Sequence, residues 1–289
     1  MKKVYKEFIS LLTVLFYALI LSSCRYSTFD ENRALKFIEN QISFGFPIPC
    51  SQASKDTSIF ISEVLENNGW DIQFQDFTYQ GIALRNIIAA NAPGNPTLIF
   101  GTHYDTRKLS DQESDALLAE TPVTGANDGA SGVALLLELS YHLNYKDDTI
   151  WLVFFDAEDQ GNIDYWPWCV GSYYFAEKLT TYPRSVVIVD MIGDKTIEIF
   201  QEENSNKYLS NQIWDVAEKL GYGDVFKRKI KYSMLDDHLP FINKGIPATL
   251  LIDFDYKYWH TTEDTLDKVS SESLKAVGEV LLNWVETFY

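Results

Sequence analysis

Positive charge is scarce in this sequence. Its 24 Lys and Arg stand against 41 Asp and Glu, a net charge of −17. That balance excludes nucleic acid as the expected partner, because binding a phosphate backbone needs clustered cations. No self-similar period of 20–50 residues appears, which excludes a solenoid or a propeller. No Pro-, Gly- or Ser-rich linker interrupts the chain after residue 32, so residues 33–289 read as one domain. Cysteine is rare too, at three. One of them, Cys24, closes the N-terminal segment. The remaining two, Cys50 and Cys169, permit one disulfide in an oxidising compartment, and neither count nor spacing requires it. Apolar residues are plentiful: 46% hydrophobic and 15% aromatic is a composition that supports a sizeable core and not a disordered chain.

The N-terminus differs from the rest. "MKKVYK" is basic, and "FISLLTVLFYALILSSC" is apolar up to Cys24. A charged start, an apolar run and small residues at its end predict a secretory signal over residues 1–23. "LSSC" resembles the lipobox of bacterial lipoproteins. That resemblance implies a lipid anchor at Cys24, a polar tether over residues 24–32, and a place on the bacterial cell envelope, at the outer membrane or facing the periplasm. An uncleaved membrane anchor is the alternative.

Downstream, the patterns alternate. "RALKFIENQISF", "KDTSIFISEVLENNGW", "VALLLELSYHL", "GSYYFAEKL", "NSNKYLSNQIWDVAEKLG" and "SSESLKAVGEVLLNWVETF" read as helices. "DIQFQDFTYQ", "RNIIAANAPG", "PTLIFGTHYDT", "DTIWLVFFDAED", "SVVIVDMIGD" and "GIPATLLIDF" read as strands or buried apolar runs. Buried strands alternating with helices predict an α/β protein with a largely parallel sheet covered on both faces. Ligands bind such sheets beyond the carboxyl ends of the strands, and the chain places its acids and imidazoles there.

"FFDAEDQG" is the sharpest case: Asp156, Glu158 and Asp159 follow directly on a buried strand. Like charges this close repel, and burial deepens the penalty. A cation nearby or a proton on one acid resolves it. Five positions could share a cation: His103, Asp128, Asp159, Asp190 and His260. Carboxylates and imidazoles are the ligands of catalytic zinc, and a divalent ion makes an anionic cluster favourable.

"GTHYDT", "GANDGASG", "FFDAEDQG", "VDMIG" and "WHTTEDT" occur in that order across nearly the whole domain. Together they resemble the clan of zinc aminopeptidases and glutaminyl cyclases. The resemblance implies a three-layer α/β/α sandwich with a mixed, mostly parallel central sheet. It also implies zinc, in one of two arrangements. In the aminopeptidase pattern two ions would sit on Asp159 with His260 and on His103 with Asp190, bridged by Asp128. In the cyclase pattern one ion would sit on Asp128, Asp159 and His260.

Flanking residues favour the bacterial cyclases. "DDHLPF" places Asp236 where the aminopeptidases usually carry Ser. Trp259 precedes His260 where they often carry Tyr. "WCVGSYYFA" puts Trp166 and Trp168 in a loop that would line the pocket, with Trp259 and Trp166 as substrate contacts. Asp159 departs from the Glu of animal cyclases, and stays a ligand on this reading because a closer loop compensates for the shorter side chain. The implied reaction converts an N-terminal glutamine of a peptide or protein to pyroglutamate and releases ammonia. Glu158 would carry the proton, with Asp190 and Asp236 beside it. A di-zinc aminopeptidase is the alternative, since His103 and Asp190 are retained. A non-catalytic peptide-binding lipoprotein is the third reading.

Other residues carry plainer expectations. Asp105 orients His103 or attends a second metal. Asp156 bonds backbone at its strand end, His142 is a surface or packed histidine, and His238 orients the loop that carries Asp236. The acids of "QEEN" form a solvated face.

Overall fold

The computed structural model describes residues 29–143 and 148–289. The signal segment expected over 1–23, Cys24 with its lipid, and the first part of the tether lie outside the described residues. Among the described residues no helix is long and apolar enough to cross a membrane.

Strands β1 (Asp71–Tyr79) and β2 (Ile82–Ala90) form an antiparallel hairpin. Its two turn residues, Gln80 and Gly81, both have positive φ, the backbone that a tight hairpin requires. Strands β3 (Leu98–His103), β4 (Ile150–Phe155), β5 (Ser185–Asp190) and β8 (Ala248–Ile252) follow. The sheet order is β1-β2-β4-β3-β5-β8, with β2 antiparallel to β4 and the other neighbours beyond it parallel. This is the mixed, mostly parallel sheet that the motifs imply.

Side chains alternate across a strand, and here the alternation separates two cores. Phe100, Leu152, Phe154, Val187 and Val189 pack on one face, with helices α1 (Glu31–Ser43), α2 (Gln52–Asn67), α4 (Ala130–Leu143), α6 (Lys207–Leu220) and α8 (Ser271–Phe288). Ile99, Val153, Phe155, Val186 and Ile188 pack on the other, with α5 (Val170–Lys178) and α7 (Leu239–Asn243). The result is three layers, helix on sheet on helix. Asp30, Ser51, Asn206 and Ser270 each cap the helix that follows, accepting a backbone N–H, which fixes where α1, α2, α6 and α8 start.

A short helix, α3 (Ala116–Ala119), and a separate parallel pair, β6 (Ile199–Glu202) with β7 (Phe226–Tyr232), complete the described elements that the site uses. The pair corrects the reading of "QEEN". Glu202 is buried, not solvated. It accepts from the backbone of Ser205 and Met234 and contacts His238 Nε2 at 3.1 Å. Buried acids persist where donors surround them, and these donors anchor the segment leading to Asp236.

The site lies where the topology reverses. β3 has β4 on one side and β5 on the other, so a crevice opens at their carboxyl ends. Register aligns those ends: His103 pairs with Phe155, and Asp190 with Ile252.

Candidate active site

Each strand end delivers one part of the site. β3 ends on His103, β4 runs out into Asp156 to Asp159, and β5 ends on Asp190. The segment after β8 brings Trp259 and His260 back over the crevice, and the loop before α4 brings Asp128. Three backbone positions at these points are left-handed without being glycine: Ala157, Met191 and His260, with φ of 57°, 47° and 54°. Such conformations cost free energy and cluster at functional sites. Gly129 has a different reason. A Cβ there would lie 2.6 Å from the His103 ring, so only glycine lets the Asp128 loop come this close.

Residues behind the ligands fix the loops. Asp264 accepts from the backbone N–H of Asn127 at 2.9 Å and of Asp128 at 3.1 Å, and the Tyr256 hydroxyl donates to it at 2.6 Å. Asp105 orients His103 through its backbone and not its carboxylate. His103 Nδ1 donates to its backbone carbonyl at 3.1 Å, while its carboxylate stands 3.7 Å away. That carboxylate instead accepts from the backbone N–H of Glu158 at 2.9 Å and of Asp159 at 3.3 Å, and from Gln160 Nε2 at 3.1 Å. It holds the acid-bearing loop in place. Asp156 accepts from the backbone N–H of Arg85, a structural acid. His142 contacts Glu138 one helical turn away.

Two buried triads result: His103, Asp128 and Asp190, and Asp128, Asp159 and His260. Within each, one ligand atom per residue lies within 4.8 Å of the others. They share Asp128 and differ in how their charges are met. In the first, His103 Nε2 lies 3.1 Å from Asp190 Oδ1, in a hydrogen bond, and 3.1 Å from Asp128 Oδ1. A carbonyl only accepts, so Nδ1 carries a proton, and a second proton lies between Nε2 and Asp190. Burial pulls the His103 pKa down, but Asp190, Asp105 and Asp128 outweigh it and raise it well above the usual value. The ring and its carboxylates thus satisfy one another within that triad.

The second triad is not satisfied in this way, although its own ring, His260, is also raised in pKa. Both Asp159 oxygens are buried without a hydrogen-bond partner. His260 Nε2 lies 2.9 Å from Oδ1, yet the two are not aligned as donor and acceptor. His260 Nδ1 faces Asp111 Oδ1 at 3.2 Å, and Arg107 clamps Asp111 at 3.0 and 2.5 Å. Arg107 also donates to the Asp159 carbonyl at 2.9 Å. Nε2 is thus left facing the site, as a metal-ligating imidazole is held by a partner on its other nitrogen. Burial first, then repulsion from Asp128, pushes Asp159 up to about 6 despite His260. His260 is raised to about 9 because Asp159 and Asp111 outweigh its burial. Orphaned carboxylate oxygens converging with a free imidazole nitrogen fit a divalent cation.

Glu158 lies beside this triad and is buried. Burial, with Asp159, Asp237 and Asp236 adding to it and His103 opposing, raises its pKa well above the ordinary value. Asp236 is likewise raised, by burial and then by Asp190 and Asp237. Asp237 reaches about 7, chiefly through burial. Glu158 and Asp236 line a small cavity of about 180 Å³ with Trp168, Met234, Leu235, Phe254 and Trp259, and Asp237 lies outside its lining. Trp259 stacks on His260 at 3.8 Å, and Trp168 lies nearly parallel to it at 5.9 Å.

One expectation is corrected here, and one open question, the Cys50–Cys169 bridge, is answered. Trp166 does not line this cavity. It packs edge-on against Tyr79 at 5.1 Å and borders a separate cleft with Ile48, Pro49 and Ile163. The chain turns at Pro167, with Asn162 and Trp166 joined by a backbone hydrogen bond, so residues 166 and 168 point apart. Trp168 takes the place at the site, and Gly161 leaves room for its ring, since a Cβ there would lie 2.0 Å from it. The Cys50–Cys169 disulfide does not form either: both cysteines are free, Cys50 exposed and Cys169 buried. Cys169 turns inward to Glu158, away from the surface loop that carries Cys50.

Sequence reasoning missed Arg107, Asp111, Asp237, Phe254 and Asp264 as parts of the site. Asp264 lies inside "WHTTEDT", so its place in a motif was the available signal. Arg107 and Asp111 stand four apart outside any helix, and nothing in the local pattern marks them.

A mostly parallel sheet with paired acid–imidazole triads at its switch point defines an enzyme built around a metal centre. Peptidase family M28 matches residues 86–285, and the chain belongs to that family. It resembles the glutaminyl cyclase of Tannerella forsythia, at 30% identity and a TM-score of 0.84 over 91% of this chain and 100% of that one. It also resembles a Zn-dependent exopeptidase of Parabacteroides distasonis, at 29% identity and a TM-score of 0.83 over 89% and 97%. Aminopeptidase YwaD of Bacillus subtilis is 28% identical over 233 residues, 73% of this chain. The chain spans only 45% of that aminopeptidase's length.

Proposed function

We propose that this chain is a zinc-dependent glutaminyl-peptide cyclotransferase holding one ion on Asp128, Asp159 and His260. The observation that carries the reading is the inequality of the two triads. His103 is hydrogen-bonded to Asp190 within its own triad, whereas Asp159 has two buried oxygens with no hydrogen-bond partner. Zinc there supplies a Lewis acid for an amide carbonyl.

The chain's own residues do the rest. The cavity of about 180 Å³ has room for a terminal side chain. Trp259, Trp168 and Phe254 form apolar walls around the glutamine side chain and exclude water. Holding the amine against the side-chain amide can contribute about 7–11 kcal/mol in favourable cases. The α-amine nitrogen bonds to the amide carbon and the five-membered ring closes. Glu158 takes the proton that the amine loses. It returns a proton to the departing nitrogen as the C–N bond breaks, and ammonia leaves. Asp236 and Asp190 disfavour a second negative charge beside them, so Glu158 can hold the proton between these events.

A second reading, the di-zinc aminopeptidase, is favoured by the two triads sharing Asp128. Peptides with N-terminal Gln separate the two. Cyclisation releases ammonia at constant chain length, whereas an aminopeptidase shortens the peptide and releases free amino acids. A purely peptide-binding lipoprotein would show neither, and the intact Glu158 speaks against it. The N-terminal "LSSC" supports a further part of the proposal, a lipid anchor at Cys24 on the bacterial cell envelope. Incorporation of labelled fatty acid, lost in Cys24→Ser, tests it.

A further inference from the structure

Glu158 must aim its carboxylate at the substrate, yet neither of its neighbours at the metal site holds it. Among the described residues, the one side-chain hydrogen bond to its carboxylate comes from Cys169, whose Sγ lies 3.3 Å from Oε1. Cys169 also donates its backbone N–H to the Glu158 carbonyl at 2.9 Å. It therefore grips Glu158 at both ends. Val170 N–H donates to the Ala157 carbonyl at 3.0 Å, which fixes the two segments side by side.

The backbone at Cys169 makes the choice of residue informative. Its φ is +63°, a conformation that suits glycine and is uncommon for any other residue. Backbone geometry alone therefore disfavours a side chain here. The side chain that is present is fully buried and turned inward, facing Glu158, Asp236 and Asp237. In this anionic wall an amine or guanidinium would form a competing ion pair, and a carboxylate would add repulsion. A thiol is a small neutral donor. Burial and the facing acids keep it protonated.

We infer that Cys169 is a positioning residue for the reaction: its thiol donates to Oε1 of Glu158 and leaves the other oxygen turned to the substrate amine. This rests on the reading of Glu158 as proton carrier, and it holds for the cyclase and the aminopeptidase alike, since both need an aimed carboxylate.

The test compares Cys169→Ala and Cys169→Ser with the wild-type full chain on N-terminal Gln peptides. Cys169→Ala should lower kcat about tenfold with KM within about twofold, since the pocket walls are untouched. Cys169→Ser keeps a donor on a shorter bond and should recover most of that loss. Equal kcat in Cys169→Ala and wild type overturns the inference. So does equal damage in Ala and Ser with KM raised and the unfolding temperature lowered, the signature of packing alone. The infrared S–H stretch gives a reading that needs no turnover. The band that disappears in Cys169→Ala should lie at lower frequency than that of exposed Cys50, and Glu158→Gln should move it. A Cys169 band at the frequency of an unbonded thiol overturns the contact itself. Wild-type protein that releases no ammonia counts against the cyclase reading and leaves the infrared result to decide the contact.

Discussion

His103 and His260 are both buried imidazoles that face two carboxylates, yet they stand in opposite states of need. His103 is locked on both nitrogens, by the Asp105 carbonyl and by Asp190. His260 stands between Asp111, 3.2 Å from Nδ1, and Asp159, 2.9 Å from Nε2, and neither contact is an aligned hydrogen bond. The same two residue types thus build a self-satisfied pair on one side of Asp128 and an unsatisfied one on the other. Ligand identity does not set metal count by itself; how far ring and carboxylates already satisfy one another at Nε2 bears on it too.

The largest expected effect separates the proton carrier from both triads. Glu158→Gln should cut turnover by about 10²–10⁴-fold while leaving the metal bound, as read by steady-state kinetics beside metal analysis of the same sample. Full activity in that variant removes Glu158 from the mechanism.

The triads themselves come next. His260→Ala should release the ion, with affinity falling by at least about 10–100-fold, the size of effect seen when even an outer partner is lost. His103→Ala should keep one ion per chain, because on this reading Asp128, Asp159 and His260 hold it. If both variants lose metal equally, the distinction between the triads is wrong.

Removing the metal should then expose the buried acids in a pH profile. Asp159 at about 6 and Asp237 at about 7 lie above the ordinary 3.8. An acid raised in the fold keeps a proton that the unfolded chain releases. Its contribution is complete below pH 3.8 and is lost as pH rises through its folded value. His260, raised from 6.5 to about 9, acts in the same direction at higher pH. Chelated protein should therefore melt at progressively lower temperature from pH 4 to 9, and zinc should flatten the slope between 4 and 7. A chelated protein whose melting temperature rises with pH across that window contradicts these environments.

The smallest contrast concerns the two tryptophans of one loop. Trp168→Ala should raise KM, since the ring walls the pocket, and Trp166→Ala should leave KM within about twofold. Comparable increases would return Trp166 to the substrate.

These contrasts also mark how far the sequence could be read. Strands such as "DTIWLVFFDAED" and the cluster of acids and imidazoles at their ends were legible, because burial on both faces writes a continuous apolar run and charge directly after it stands out. "FKRKIKY" was not read as β7, because it is a short, mostly exposed and charged strand whose pattern looks like surface. Glu202 was misread because an acid's burial depends on donors far away in sequence, here Met234 and His238. Trp166 and Trp168 differ only in the direction the chain takes at Pro167. Arg107 and Asp111 reveal themselves only when His260, about 150 residues later, folds over them.

Counting zinc ions in the purified full chain bears most directly on the inequality of the two triads. One ion per chain, retained in His103→Ala and lost in His260→Ala, is the predicted result. Two tightly held ions per chain, one of them lost in His103→Ala, would contradict it and favour the aminopeptidase.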